Sequence, residues 1–119
     1  MALHNDLGKK GEAMAEEYLS RNGYKILEKN WRYLKAEIDI IAQIEETIVI
    51  VEVKTRSTVD ITTPEYAVNN KKIKLLVAAA NEYVIKNDLD FEVQFDIITI
   101  HKKAKKYDLN HIKKAFLFF

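Results

Sequence analysis

Asp39, Glu52 and Lys54 form a D-x(12)-E-x-K pattern, and the reactive side chains of this chain gather around it. Glu37 stands two residues before Asp39, so three carboxylates and an amine fall on neighbouring apolar segments. Carboxylates brought within a few ångströms of each other favour a divalent cation. Mg²⁺ takes oxygen ligands, keeps several waters, and is usually held by one or two carboxylates together with substrate phosphate. Such an ion polarises a phosphodiester and supplies hydroxide near neutral pH. A lysine beside it orients the attacking water or neutralises charge developing on the phosphorane. Spacing alone leaves a second account open, an ordinary cross-strand patch of Glu and Lys worth about 0.2–1 kcal/mol.

The segments Ala36–Ala42 and Thr47–Thr55 read as strands, joined by a polar turn around Gln43–Glu46 into an antiparallel hairpin. Side chains alternate along a strand with period two. Glu37, Asp39 and Ile41 therefore share one face of the first strand, and Ile48, Ile50, Glu52 and Lys54 share one face of the second. A register that sets Asp39 opposite Glu52 also sets Glu37 opposite Lys54. The shared face is apolar near the turn and ionised at its far end, where charges are costly unless they pair or bind a metal. A salt bridge from Glu37 to Lys54 or Arg56 accounts for Glu37 as well as a site role does.

The remaining elements follow from periodicity. A first helix is expected over about Asp6–Asn22, capped by Asn5 or Asp6 and closed by Gly23. Leu7, Gly11, Met14, Ala15, Tyr18 and Leu19 form its stripe. Gly8 and Gly11 each cost about 1 kcal/mol inside a helix, a cost that close approach by a backbone or ligand would explain. Glu12 lies beside the stripe, a poor place for a lone acid. Tyr24–Tyr33 reads as a first strand, and a loop follows the hairpin at Arg56–Thr62. Thr63-Pro64-Glu65 is a helix-start signal leading to a second helix at about Asn70–Asn87. Its apolar positions are Ile73, Leu76, Val77, Ala80, Tyr83 and Val84, with Lys71, Lys72 and Lys74 near its start. Phe91–His101 and Tyr107–Phe116 complete the strands, around a solvated lysine turn at 102–106. The order αβββαββ predicts an α/β fold, a mixed sheet flanked by helices.

At 119 residues and 48% hydrophobic, the chain is expected to be one domain spanning 1–119. Three Gly and one Pro argue against disorder. The absence of Cys excludes disulfide scaffolds, thiol catalysis and zinc fingers. No apolar run approaches the ~18 residues of a membrane span, and Met1–Asp6 carries no secretory signal, so a cytoplasmic location is expected. Net charge is +1 but uneven, −3 over residues 1–68 and +4 over residues 69–119. Acidic chemistry in the first half and a basic surface in the second fit that division, as does simple surface scatter.

Asp39…Glu52-Val53-Lys54, following a helix with an acidic residue, resembles the PD-(D/E)xK nuclease superfamily, whose fold is restriction-endonuclease-like. Nearly the whole chain is similar to the small, functionally uncharacterised YraN-type family of bacterial proteins, for which an endonuclease activity is inferred. The segments that carry this are Gly8-Lys9-Lys10-Gly11-Glu12, Gly23-Tyr24-Lys25-Ile26-Leu27, Asn30-Trp31-Arg32 and Glu37-Ile38-Asp39-Ile40-Ile41-Ala42. Val51-Glu52-Val53-Lys54-Thr55-Arg56, Lys72 and Phe95-Asp96 continue it in the same order and spacing. Ala36 departs from it, standing where many relatives have Gly.

The resemblance implies Asp39 and Glu52 as ligands of Mg²⁺ or Mn²⁺ and Lys54 as the catalytic lysine. It implies Glu12 as an accessory carboxylate that orients water or a second ion. Archaeal Holliday-junction resolvases share a similar arrangement, so the expected substrate is DNA, branched or otherwise irregular, in repair or recombination. The alternatives are a nucleic-acid-binding module with a vestigial site and a structural salt-bridge cluster. Lys72, with Lys71 beside it, could meet a phosphate at a helix N-terminus, and Arg32 and Arg56 could line a backbone groove. Asp96 is expected to pair inside the fold, and His4, His101 and His111 show no ligand spacing. A homodimer would cover more duplex and hide the apolar tail Ala115–Phe119, which could instead pack on its own sheet.

Overall fold

Each predicted element is present in the computed structural model, which describes residues 2–57 and 69–116, with side chains from Asp6 onward. The order is α1 (Ala2–Arg21), β1 (Lys25–Tyr33), β2 (Ala36–Ile44), β3 (Thr47–Ser57), α2 (Asn70–Lys86), β4 (Glu92–Lys103) and β5 (Lys106–Ile112). Five strands lie side by side in sequence order, β1-β2-β3-β4-β5. Neighbours pair antiparallel except β3 and β4, which run parallel and are joined through α2. A parallel pair requires such a crossover. This is the mixed α/β sheet flanked by helices that the sequence predicts.

Alternation along β3 divides the core. Ile48 and Ile50 join Ile38, Ile41 and Phe95 beneath Leu76, Ala79, Ala80 and Tyr83 of α2. Val49 and Val51 join Ile40, Ala42, Ile98 and Ile100 against Ala15 and Leu19 of α1. The helices therefore cover opposite faces. Phe116 stacks on Phe95 with ring centroids 5.0 Å apart, and Ala115 N donates to Phe95 O at 2.8 Å. As far as it is described, the apolar tail packs on its own sheet. Among the described residues no helix is long and apolar enough to cross a membrane.

Several boundaries depart from the sequence reading. α1 begins at Ala2, so neither Asn5 nor Asp6 caps it; nothing before them breaks the helix. β5 ends at Ile112 rather than Phe116, because Lys114 adopts φ 52° and turns the chain back toward β4. Lys102 and Lys103 extend β4 and Lys106 opens β5, which reduces the lysine turn to Ala104 and Lys105. The start of α2 is set by Asn69, whose side chain accepts from Lys72 N; the Thr63-Pro64-Glu65 signal and most of the preceding loop lie outside the described residues. Ala36 needs no positive φ. Leu34, two residues earlier and exposed, takes it at 56°.

Asp96 pairs inside the fold as expected. It is fully buried, accepts from Gln94 Nε2 at 2.9 Å and Lys114 N at 3.1 Å, and lies 2.6 Å from His111 Nε2. His111 Nδ1 in turn meets Tyr18 OH at 2.9 Å, tying β5 and β4 to α1.

Candidate active site

The hairpin forms in the expected register, from Ile44↔Thr47 to Ile40↔Val51, and there the pairing stops although both strands continue. β2 runs on beside β1 to Tyr33↔Ala36, while β3 runs on beside β4 to Ser57↔Lys102. Asp39, the first residue past the last pair, fills the gap: its Oδ2 accepts from Val53 N at 2.8 Å. The side chain thereby satisfies a β3 amide at the point where pairing with β2 has ended.

The simple alternation expected for β2 fails at this point. Ile38 belongs to the core under α2 and Ile40 to the core under α1, yet Ile41 is again under α2. The slip faces Asn30 of β1, which adopts φ 52° between the pairs Lys29↔Ile40 and Trp31↔Ile38. Asn is among the residues that most readily accept the left-handed region. Glu37 consequently leaves the predicted pairing with Lys54 and is bonded by Arg32 Nε at 3.2 Å.

Glu12 arrives from the α1 side. The α1 backbone lies so close to β3 that a Cβ on Gly11 would fall 2.0 Å from Thr55 Oγ1. Gly11 thus allows the approach that brings Glu12 to the end of the hairpin. Gly8 has open space where a Cβ would go, so close approach does not account for it. Glu52 sits on the α2 side, 6% exposed, and Lys72 of α2 donates its ammonium to Glu52 Oε2. Lys54 lies two residues along the same strand, half-buried.

Electrostatics mark this as one cluster. Burial, then repulsion from Glu52 and Glu12, lifts the Asp39 carboxyl from 3.8 to about 7, against the Val53 hydrogen bond and the Lys72 charge. Glu12 is raised by burial and by Glu37 and Glu52, a rise opposed by its hydrogen bond with Asn30. Burial lowers Lys54, helped by the charges of Arg56 and Lys72 and resisted by Glu52. Raised acids beside a lowered amine make this cluster the candidate site of the fold.

The structure thus brings together Glu12, Asp39, Glu52 and Lys54. Lys72 joins them through Glu52 rather than through helix amides; its own N–H is taken by Asn69 Oδ1 at 2.8 Å. Lys71 is exposed and shares a groove with Lys72, Lys35 and Asn69. Arg56 Nη1 donates to Thr55 O at 3.1 Å. Arg32 is exposed on β1, occupied with Glu37. Asn30 and the Val53 amide were given no site role from the sequence, although both lie in the segments that carry the resemblance. An Asn inside a strand was the available signal for the first; a backbone donor leaves none.

Among the described residues no three His, Cys, Asp or Glu side chains converge as a ready-made metal cage. The donor set nonetheless suits Mg²⁺ or Mn²⁺, since one or two carboxylates with water and phosphate suffice for such ions. Asp39 and Glu52 are the carboxylates that could serve, with Glu12 nearest behind.

A family model described as "Uncharacterised protein family UPF0102" matches residues 11–100, spanning every site residue named above. A UPF0102 protein of Flavobacterium psychrophilum is 56% identical over the full length of both chains. One from Flavobacterium johnsoniae is 49% identical and one from Christiangramia forsetii 51%, again over the whole of each chain.

Proposed function

The chain belongs to the UPF0102 family, and we propose that it is a metal-dependent endonuclease of PD-(D/E)xK type that hydrolyses DNA phosphodiesters. One observation carries the reading: Asp39, anchored on Val53 N at 2.8 Å where the β2–β3 pairing ends, shares its charge environment with Glu52 and Glu12. Mg²⁺ or Mn²⁺ would supply Lewis-acid polarisation of the phosphoryl oxygen and a nucleophile at neutral pH.

The protein's own groups divide the remaining work. Asp39 and Glu52 would hold the ion. Glu12, raised by burial, orients water and accepts its proton. Lys54 stabilises charge that builds on the phosphoryl group. Lys71, Lys72, Arg56 and Arg32 are assigned to the DNA backbone, contacts that position a duplex without reading its bases. A small domain gripping phosphates this way is suited to DNA distinguished by shape, such as a branched junction, in the cytoplasm.

The test is a nicking assay with Mg²⁺, Mn²⁺ or Ca²⁺ on a four-way junction and on plain duplex. Wild type should cut with Mg²⁺ or Mn²⁺, Ca²⁺ should support little cleavage, and Asp39→Asn should be inactive while folded. Mn²⁺-independent DNA binding with no cutting of either substrate would instead identify a binding module.

A further inference from the structure

A lysine in the first turn of a helix is out of place, because the helix dipole disfavours cations there. Lys71 and Lys72 both occupy that position in α2, and no acidic residue balances them within the turn. Lys72 finds its anion elsewhere: its ammonium crosses to β3 and lies on Glu52 Oε2. The two ends of this pair differ. The Glu52 side chain is 8% exposed, whereas that of Lys72 is 46% exposed. Glu52 is therefore fixed in the sheet, and Lys72 is a long, open arm resting on it.

Resting on the metal-site reading above, we propose that Lys72 is an exchangeable counter-cation. Its ammonium neutralises Glu52 until a divalent cation takes the carboxylate, and the displaced lysine then binds a substrate phosphate. Glu52 is buried in the sheet, and the Lys72 ammonium is the cation seated on its carboxylate. Metal and ammonium compete for the same oxygen. On release, the lysine has a destination within reach of its flexible stem. A groove of about 230 Å³ opens beside it, lined by Lys35, Lys71 and Asn69 together with Ala36, Leu75 and Leu76. Loading the ion and arming the phosphate grip are then one event, and DNA would be held in register chiefly by metal-loaded protein.

The exchange predicts effects of opposite sign. Lys72→Met should tighten Mn²⁺ binding, measured by calorimetry, by about two- to fivefold, the factor expected from removing one competing ion pair. The same variant should bind duplex DNA more weakly in Ca²⁺, with a log–log salt slope shallower by about one. Lys74→Met, on the same helix, should leave Mn²⁺ affinity unchanged. Amine labelling read by mass spectrometry should find Lys72 protected relative to Lys71 and Lys74, and Ca²⁺ should abolish that protection. Mn²⁺ binding of equal strength in wild type and Lys72→Met, with Lys72 labelling unaffected by the ion, would overturn the exchange and leave the metal site standing. Weakening of both metal and DNA binding would overturn it too. No Mn²⁺ binding by either protein would remove the metal site itself, and the exchange with it.

Discussion

Replacing Asp39 by Asn should stabilise the metal-free protein, and the gain should depend on pH in a defined direction. The native carboxyl holds its proton to about 7, against 3.8 ordinarily. Between those values the folded chain binds a proton that the unfolded chain has released, so stability falls as pH rises through the window and is level above it. The full displacement corresponds to about 4 kcal/mol. The Asn carbonyl still accepts from Val53 N, and the charge assistance it lacks is already contained in that net displacement. Partial exposure of the side chain screens about half of the effect, leaving about 2 kcal/mol, or a melting temperature higher by about 8 °C. Thermal melts followed by circular dichroism, with chelator present, would measure this at pH 8 and pH 4. The advantage of Asp39→Asn should be largest at pH 8 and nearly vanish at pH 4. A variant less stable than wild type at pH 8, or a difference that ignores pH, would refute the argument and make the carboxylate a structural anchor.

Lys54→Ala should remain folded yet cut about 10²–10³ times more slowly in single-turnover assays, the usual cost of losing a group that stabilises transition-state charge; an undiminished rate would reduce Lys54 to a salt-bridge partner. Gly11→Ala should cost about 2 kcal/mol in chemical denaturation, because the new Cβ would lie 2.0 Å from Thr55 Oγ1. Thr55→Ala should restore part of that loss in the double variant. His111→Ala leaves the fully buried Asp96 without its ring partner and should destabilise the fold by about 3–5 kcal/mol. Mn²⁺ affinity measured below the melting temperature should be unaffected.

The order of elements was legible because each carries a clean period: Leu76, Ala80 and Tyr83 repeat as a helix, and Ile48 to Val53 alternate as a strand. The hairpin register was legible through its short polar turn, which sets Ile44 opposite Thr47; both faces of β3 are buried, so the apolar pattern alone does not select it. What alternation could not convey was its own interruption. The positive φ of Asn30 and the slip opposite it at Asp39 are joint properties of two strands, so Glu37 and Lys54 were assigned a pairing that the backbone does not make. Lys72 was legible as a candidate phosphate contact at a helix start, but its partner on β3 depends on how the crossover places α2. The ends of β5 and of the lysine turn depend on single residues, Lys114 and Ala104, at φ 52° and 56°. Neither residue type announces such a conformation.

Among the described residues the sheet has two unpaired margins, β1 and β5, and both are built to discourage another strand. Along β1 the exposed side chains are Lys25, Lys29, Asn30 and Arg32, and the backbone bends at the register shift between Ile26 and Glu28. Along β5, exposed Lys106, Asp108 and Asn110 alternate with half-buried Tyr107, Leu109 and His111. Charged, irregular rims of this kind resist edge-to-edge growth, the route by which open sheets aggregate. Self-association of such a sheet is favoured through helix faces or loops rather than through its edges.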